Sequence, residues 1–315
     1  MSNKIISREL RKTKLNFIDL VKRDYAYLVM MAIPAAYFII FHYVPMYGVI
    51  IAFQDYKIGS DFFAGAKWVG FRWFIEFFNS PLTIRVFWNT VILSVQSIVI
   101  LFPLPIILAL VFNEVKNRYI KGFAQTASYM PYFISIAVVV GILYNFLSIN
   151  GGIINQLLAS MGIEPINFMD KPSWFRPLYI ITEAWQGVGF SSIIYIAAIA
   201  GISPTLYEAA NVDGSTRLKN IMYITIPSII PTIVILFILR LGSIMSVGFE
   251  KVLLMQKPIT YETSDVISTL VYRSGLQSQR FSYATAIDLF NSMINIAMLL
   301  IANYISKKVS ETSLW

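Results

Sequence analysis

The fold class that this sequence predicts is an all-α polytopic membrane protein with six transmembrane helices, and three observations predict it. Hydrophobic residues make up 57% of the 315 positions and charged residues only 13%, with a mean hydropathy of +0.66, far from a soluble globular composition. Six stretches reach or approach the roughly 20 apolar residues that a helix needs to cross hydrocarbon. Lysine and arginine are spread unevenly over the segments between them, as a fixed topology requires.

The net charge of +8 and pI near 9.4 follow from that distribution and do not call for a nucleic-acid partner. Cysteine is absent, so no disulfide or thiolate metal site is available, and the single histidine, His42, excludes two-histidine zinc motifs. His42 reads as a packed or interfacial residue, with no second titrating partner close in sequence for a proton relay.

Residues 1–24 carry Lys4, Arg8, Arg11, Lys12, Lys14, Lys22 and Arg23 among apolar positions. This pattern predicts either an amphipathic helix on the inner leaflet or a solvated basic tail. The uncharged run from Tyr25 to Gln54 is too long for a signal-peptide core and is expected to stay as the first span. The six spans are expected at 27–53, 86–112, 123–146, 178–202, 221–245 and 283–305, within a membrane domain of 25–306 that leaves a tail of 307–315. Six crossings put both termini on one side. Segments on that side hold 14 lysines and arginines and those opposite hold 10, with Arg240 left inside the fifth span. The excess sits in short segments, so both termini are expected in the cytoplasm.

The outer loop after the first span contains Phe62, Phe63, Trp68, Phe71, Trp73 and Phe74. Such rings suit a membrane interface, or the face that a docked protein covers. Prolines at 103, 105, 131, 227 and 231 are expected to bend their spans. The segment 147–177 reads as a structured loop with one short helix near 153–161.

Glu183, Arg240 and Asp288 lie within or near spans, where a charge costs several kcal/mol unless it is paired or hydrated. Two readings stand. Arg240 lines a path for an anionic or hydroxyl-rich solute while Glu183 and Asp288 accept hydroxyl hydrogen bonds, or Arg240 pairs with one of the two acids and locks adjacent helices. Trp185 and Gln186, beside Glu183, together with Tyr144, Asn145 and Asn291, combine ring faces and amides suited to a sugar-lined cavity.

The polar interruption at 203–220 is the most informative stretch. Ser203 is placed to cap a helix, Pro204 fits its first turn, and Gly214 can adopt the left-handed conformation that ends it. The small face of Leu206, Ala209 and Ala210, with acids at Glu208 and Asp213, is shaped to lie in another protein's groove.

Tyr207-Glu208-Ala209-Ala210, three residues, Asp213 being the last of them, then Gly214, nine residues and Ile224-x-Ile226-Pro227 resemble the cytoplasmic signature of permease subunits of binding-protein-dependent ATP-binding-cassette importers. Ile226 stands where that signature usually has leucine. Tyr43-Val44-Pro45-Met46-Tyr47-Gly48 and Phe87-Trp88-Asn89-Thr90 are similar to the carbohydrate-uptake branch, including permeases for acidic polysaccharide fragments. The resemblance implies the type I importer permease fold, with Tyr207, Glu208, Ala209, Ala210, Asp213, Gly214 and Pro227 coupling the spans to an ATPase. It also implies a second permease subunit, a cytoplasmic ATPase dimer that binds ATP and Mg, an extracytoplasmic solute-binding protein and an oligosaccharide substrate.

No Gly-x-x-x-x-Gly-Lys-Ser/Thr loop, nucleophile elbow or metal-binding cluster is present in the sequence, so the chain is expected to bind no cofactor and to catalyse no reaction by itself. An ion-coupled secondary carrier using Glu183 or Asp288, and a membrane scaffold that transports nothing, are the competing readings.

Overall fold

The structure, a computed structural model, describes residues 17–59 and 66–309. Most of the basic arm, Phe62, Phe63 and Gly65 of the loop after the first span, and the tail beyond residue 309 lie outside the described residues. The chain divides into two units, 1–51 and 52–315. The described residues of the first, 17–51, form a single helical run. Helix α1, Phe17–Phe38, has non-helical dihedrals at Asp24 and carries Pro34 inside it. It continues through a π-helical turn, Ile39–Tyr43, a short helical turn, Val44–Met46, and a 3-10 stretch ending at Phe53. His42 is exposed and its ring meets Tyr37 and Phe38.

The second unit begins with a two-stranded hairpin, β1 Gln54–Asp55 against β2 Lys67–Trp68, followed by α2, Arg72–Asn79. Trp73 is not an interfacial ring as expected. It is buried, and its indole N–H donates to the Gln54 carbonyl at 2.8 Å, while Trp68 and Phe71 do remain exposed.

Ser80 accepts a hydrogen bond from the Leu82 amide and Pro81 takes the first helical position, so α3 (Pro81–Leu101) starts five residues before the predicted edge of the second span. It joins α4, Pro103–Glu114, across Phe102, and together they form one span-length run. The third predicted span is not one straight helix. Helix α5, Arg118–Tyr129, ends in a 3-10 turn through Phe133, and α6, Ile136–Leu147, leaves at an angle of 98°. Pro131 lacks the donor that would continue α5, and the Ser135 hydroxyl caps α6 by accepting from the Val138 amide.

Helix α7, Ile153–Ser160, is the short helix that the sequence predicts near 153–161. Helix α8 runs over Pro172–Ala200, so the predicted loop end at 172–177 is helical instead. Pro172 occupies the first turn at no cost, and Pro177 removes one hydrogen bond near the helix start. After a 69° bend comes α9, Pro204–Val212. A short α10, Arg217–Asn220, leads through a π-helical turn into α11, Ile226–Leu241, and α15, Phe281–Val309, closes the chain.

Between these last two helices the sequence shows only a loop, yet residues 249–277 fold into α12 (Phe249–Met255), α13 (Tyr261–Ser264), α14 (Ile267–Tyr272) and a π-helical turn. Val252, Met255, Val266 and Ile267 there are buried in two cores with Leu93, Leu178 and Ile287. A third core, Ala109, Tyr195, Ile199 and Ile229, joins α4, α8 and α11. Among the described residues, four helical runs are long and apolar enough to cross a membrane, and two bent pairs also qualify if each is one span.

Candidate functional site

Helix α8 supplies the central wall of the site, and one of its glycines, Gly189, allows close approach of a neighbour. A Cβ at Gly189 would collide with the Ser128 carbonyl of α5, so α5 and α8 cross at backbone contact. At the same crossing Tyr132 stacks on Phe190 with ring centroids 4.0 Å apart. The Gln186 amide donates to the Ile134 carbonyl at 2.8 Å, satisfying an acceptor that the break in the third span leaves open.

One turn earlier on α8, Glu183 faces a cavity of about 500 Å³ whose lining includes Phe102, Tyr132, Gly187, Phe190, Leu236 and Arg240. A smaller cavity of about 140 Å³ shares Glu183 and Arg240 and adds the hydroxyls of Ser94, Ser97, Ser243 and Ser246. Neither predicted partnership of Arg240 forms. Glu183 is held instead by Lys251 of α12, whose ammonium donates to its carboxylate at 2.7 Å and lies over the Tyr179 ring. Lys251 is 1% exposed, and a buried ammonium needs such a partner. Among the described residues no acid lies within ion-pair distance of Arg240. The cavity wall therefore carries one cation, Arg240, and one anion, Glu183, and the anion is neutralised by Lys251 buried behind it.

The other cavity candidates scatter. Tyr144 donates to the Met255 carbonyl at 3.4 Å, and Asn145 to Gly141 one turn back on its own helix. Trp185 is exposed, and Asn291 is buried with its amide oxygen unpartnered. Asp288 lines a separate cavity.

Sequence reasoning missed two groups. Lys251 was readable, as a lone cation beside the apolar run Val252-Leu253-Leu254-Met255. The second is a buried junction at Asp265, whose carboxylate takes Arg273 at 2.7 and 2.8 Å and Thr269 at 3.0 Å. Asn89 of α3 donates to the carbonyls of Glu262 and Asp265, and Arg176 of α8 donates to Asn89 at 2.8 Å. Outside the spans, Asp170 and Lys257 pair at 2.6 Å. The hydrogen bond from Lys257 holds the Asp170 carboxyl below its ordinary range, and the same bond raises Lys257.

At the far end of α8, helix α9 has no buried residue. Glu208 and Ala209 are exposed, as are Leu206, Val212 and, beyond the helix, Leu218. The Ser203 hydroxyl does not cap α9; it pairs with the Thr205 hydroxyl. Gly214 has φ +75°, and the Ser215 amide returns to the Ala210 carbonyl to close the helix end. Tyr207 bonds the Thr225 hydroxyl at 2.9 Å and Asn220 bonds Asn211 at 3.2 Å. The helix is thus tied to α8 by the chain and to the base of α11 by side chains, with Asp213 at its end and Pro227 in the first turn of α11.

The pattern of the binding-protein-dependent transport system inner membrane component matches residues 101–311. The chain belongs to this family. The permease is 41% identical over 312 residues to the polygalacturonan/rhamnogalacturonan transport system permease protein YteP of Bacillus subtilis (strain 168), covering 99% of this chain and 96% of that one. It is also similar to a chain in the crystal structure of a bacterial alginate ABC transporter in complex with alginate pentasaccharide-bound periplasmic protein. The TM-score there is 0.88 at 42% identity, over 95% of this chain and 99% of the other. A second structure, of a bacterial ABC transporter involved in the import of the acidic polysaccharide alginate, gives 0.86 at 43% identity over 92% and 98%. The protein is therefore a multi-pass permease of the type I importer fold and not an enzyme. Separate components hydrolyse ATP, and permeases of this kind act in pairs. The ion-coupled carrier and scaffold readings give way to it.

Proposed function

We propose that this permease and a second one form the translocation path for an acidic, uronate-containing oligosaccharide delivered by a solute-binding protein. The observation that carries the reading is Arg240, a cation without an ion-pair partner among the described residues, on a cavity whose one acid, Glu183, is already neutralised by Lys251. That wall attracts a carboxylate, while Glu183 keeps acceptor capacity for sugar hydroxyls. Its relatives named for polygalacturonan, rhamnogalacturonan and alginate support the choice of an anionic cargo. Both termini and α9 face the cytoplasm, where an ATPase dimer loaded with ATP and Mg grips Glu208, Ala209 and Ala210. Its closure moves α8 and α11 together through the joint at Tyr207 and Thr225.

The test is uptake by the whole complex in proteoliposomes, with binding protein loaded with uronate or neutral oligosaccharides of equal length. Uronate oligosaccharides are expected to be taken up preferentially. Arg240→Gln is expected to lower their uptake about tenfold, from the ~1.5 kcal/mol of one charge-assisted hydrogen bond, and to leave neutral sugars unaffected. Equal use of both sugars by the unmodified complex would overturn the acidic reading.

A further inference from the structure

Asp288 is a charge that the chain itself leaves uncompensated. It lies two turns into α15, a helix long and apolar enough to span the membrane, and it is exposed on the chain's surface. Among the described residues it has neither ion pair nor hydrogen bond. The cations on the elements packed against it are already engaged, Arg273 with Asp265 and Arg280 with Glu76. Arg240 belongs to the other cavity. Exposed neighbours further along α15, Met293 and Ile296, mark a face meant for lipid or protein, and lipid gives a carboxylate no partner.

The surroundings specify what the missing partner is. Asp288 opens into a cavity of about 410 Å³ walled by Phe249, Ser268, Tyr272, Gly275 and Phe281. The rings of Phe249 and Tyr272 lie 5.4 Å apart, and the Ser268 hydroxyl oxygen is buried with no hydrogen-bond partner. A carboxylate, an open hydroxyl acceptor and aromatic faces together match a planar, multi-donor cation better than a neutral group. Permeases of this family work in pairs, so a second permease is at hand within the membrane to cover such a face. We infer that Asp288 and its cavity receive a cationic side chain, an arginine by fit, from a span of the second permease, fixing the register of the pair.

The chain contains no cysteine, so Asp288→Cys installs a single thiol in it without adding charge. In the full complex in membranes, that thiol is expected to resist a membrane-impermeant maleimide with or without ATP and loaded binding protein. A photo-crosslinking amino acid at position 288 is expected to give one protein adduct, with the second permease. Asp288→Lys is expected to lose the second permease during detergent purification, and changing one lysine or arginine in that permease's spans to glutamate is expected to restore it. Labelling of the thiol in the intact complex, with protection by oligosaccharide, would put Asp288 on the solute path and overturn the inference. So would adducts only with lipid or with a second copy of this chain. The labelling and crosslinking arms decide the matter even if Asp288→Lys fails to insert. None of these readouts depends on the charge of the cargo, so this inference and the acidic-cargo reading can fail separately.

Discussion

Lys251 shows how one buried side chain sets the chemistry of its surroundings. Its ammonium sits almost wholly out of solvent against the partly exposed Glu183 carboxylate, so the pair is asymmetric: removing the lysine strands an acid that water still reaches in part. Lys251→Met is therefore expected to destabilise the complex by about 1–3 kcal/mol, the cost of one unsatisfied polar group, measured by thermal unfolding in detergent. Adding Glu183→Gln to Lys251→Met is expected to recover part of that loss, because the uncompensated charge is then gone. If Lys251→Met instead left stability unchanged, the pair would have no structural weight. The same comparison bears on transport, since without Lys251 the Glu183 charge is no longer neutralised from behind and offsets Arg240 across the cavity.

At the level of elements, two breaks in the helical runs shape the proposed site and the proposed coupling helix. The break between α5 and α6 is held by its neighbour α8 through Gly189, Gln186 and the Tyr132 and Phe190 stack, beside the cavity that α8 lines. At the other end of α8, helix α9 stops at Gly214 with φ +75°, a region in which a side chain costs about 1–2 kcal/mol. Gly214→Val is expected to fray the end of α9 and weaken ATPase retention on purification. Gly214→Asn, which tolerates the left-handed conformation, is expected to retain the ATPase nearly as the unmodified chain does. Equal loss in both variants would mean that the glycine is needed for close approach of the ATPase and not for its backbone angle.

For the assembled importer, the exposure of α9 suits the proposed ATPase contact, since every one of its residues is at least partly exposed while the bundle around its root is packed. Glu208→Lys is expected to abolish co-purification of the ATPase while the second permease remains bound, because the acid lies on α9 and the inferred permease contact lies on α15. An ATPase that still assembles at normal yield after this change would remove α9 from the coupling role. On the proposed reading the two contacts are expected to separate under mutation, as a pulling mechanism requires, with the motor acting at one end of α8 and α11 and the permease pair holding register elsewhere.

The amino-acid order alone fixes the long apolar runs, the polar interruption at 203–220 and its stop at Gly214. These depend on local hydropathy and local backbone preference, which neighbours along the chain determine. It does not reveal that residues 249–277 turn back into the bundle, because that segment is too short and too mixed to register as a span and is stabilised by contacts such as Asn89 with Asp265, 176 residues apart. The partner of Glu183 was hidden for the same reason: Lys251 is 68 residues away, and which cation reaches an acid is settled by how helices pack, not by how their residues are spaced. Tertiary structure alone separates Asp288 from the cavity that holds Glu183 and Arg240, since three charges that look alike as intramembrane residues differ only in the neighbours that folding brings to each.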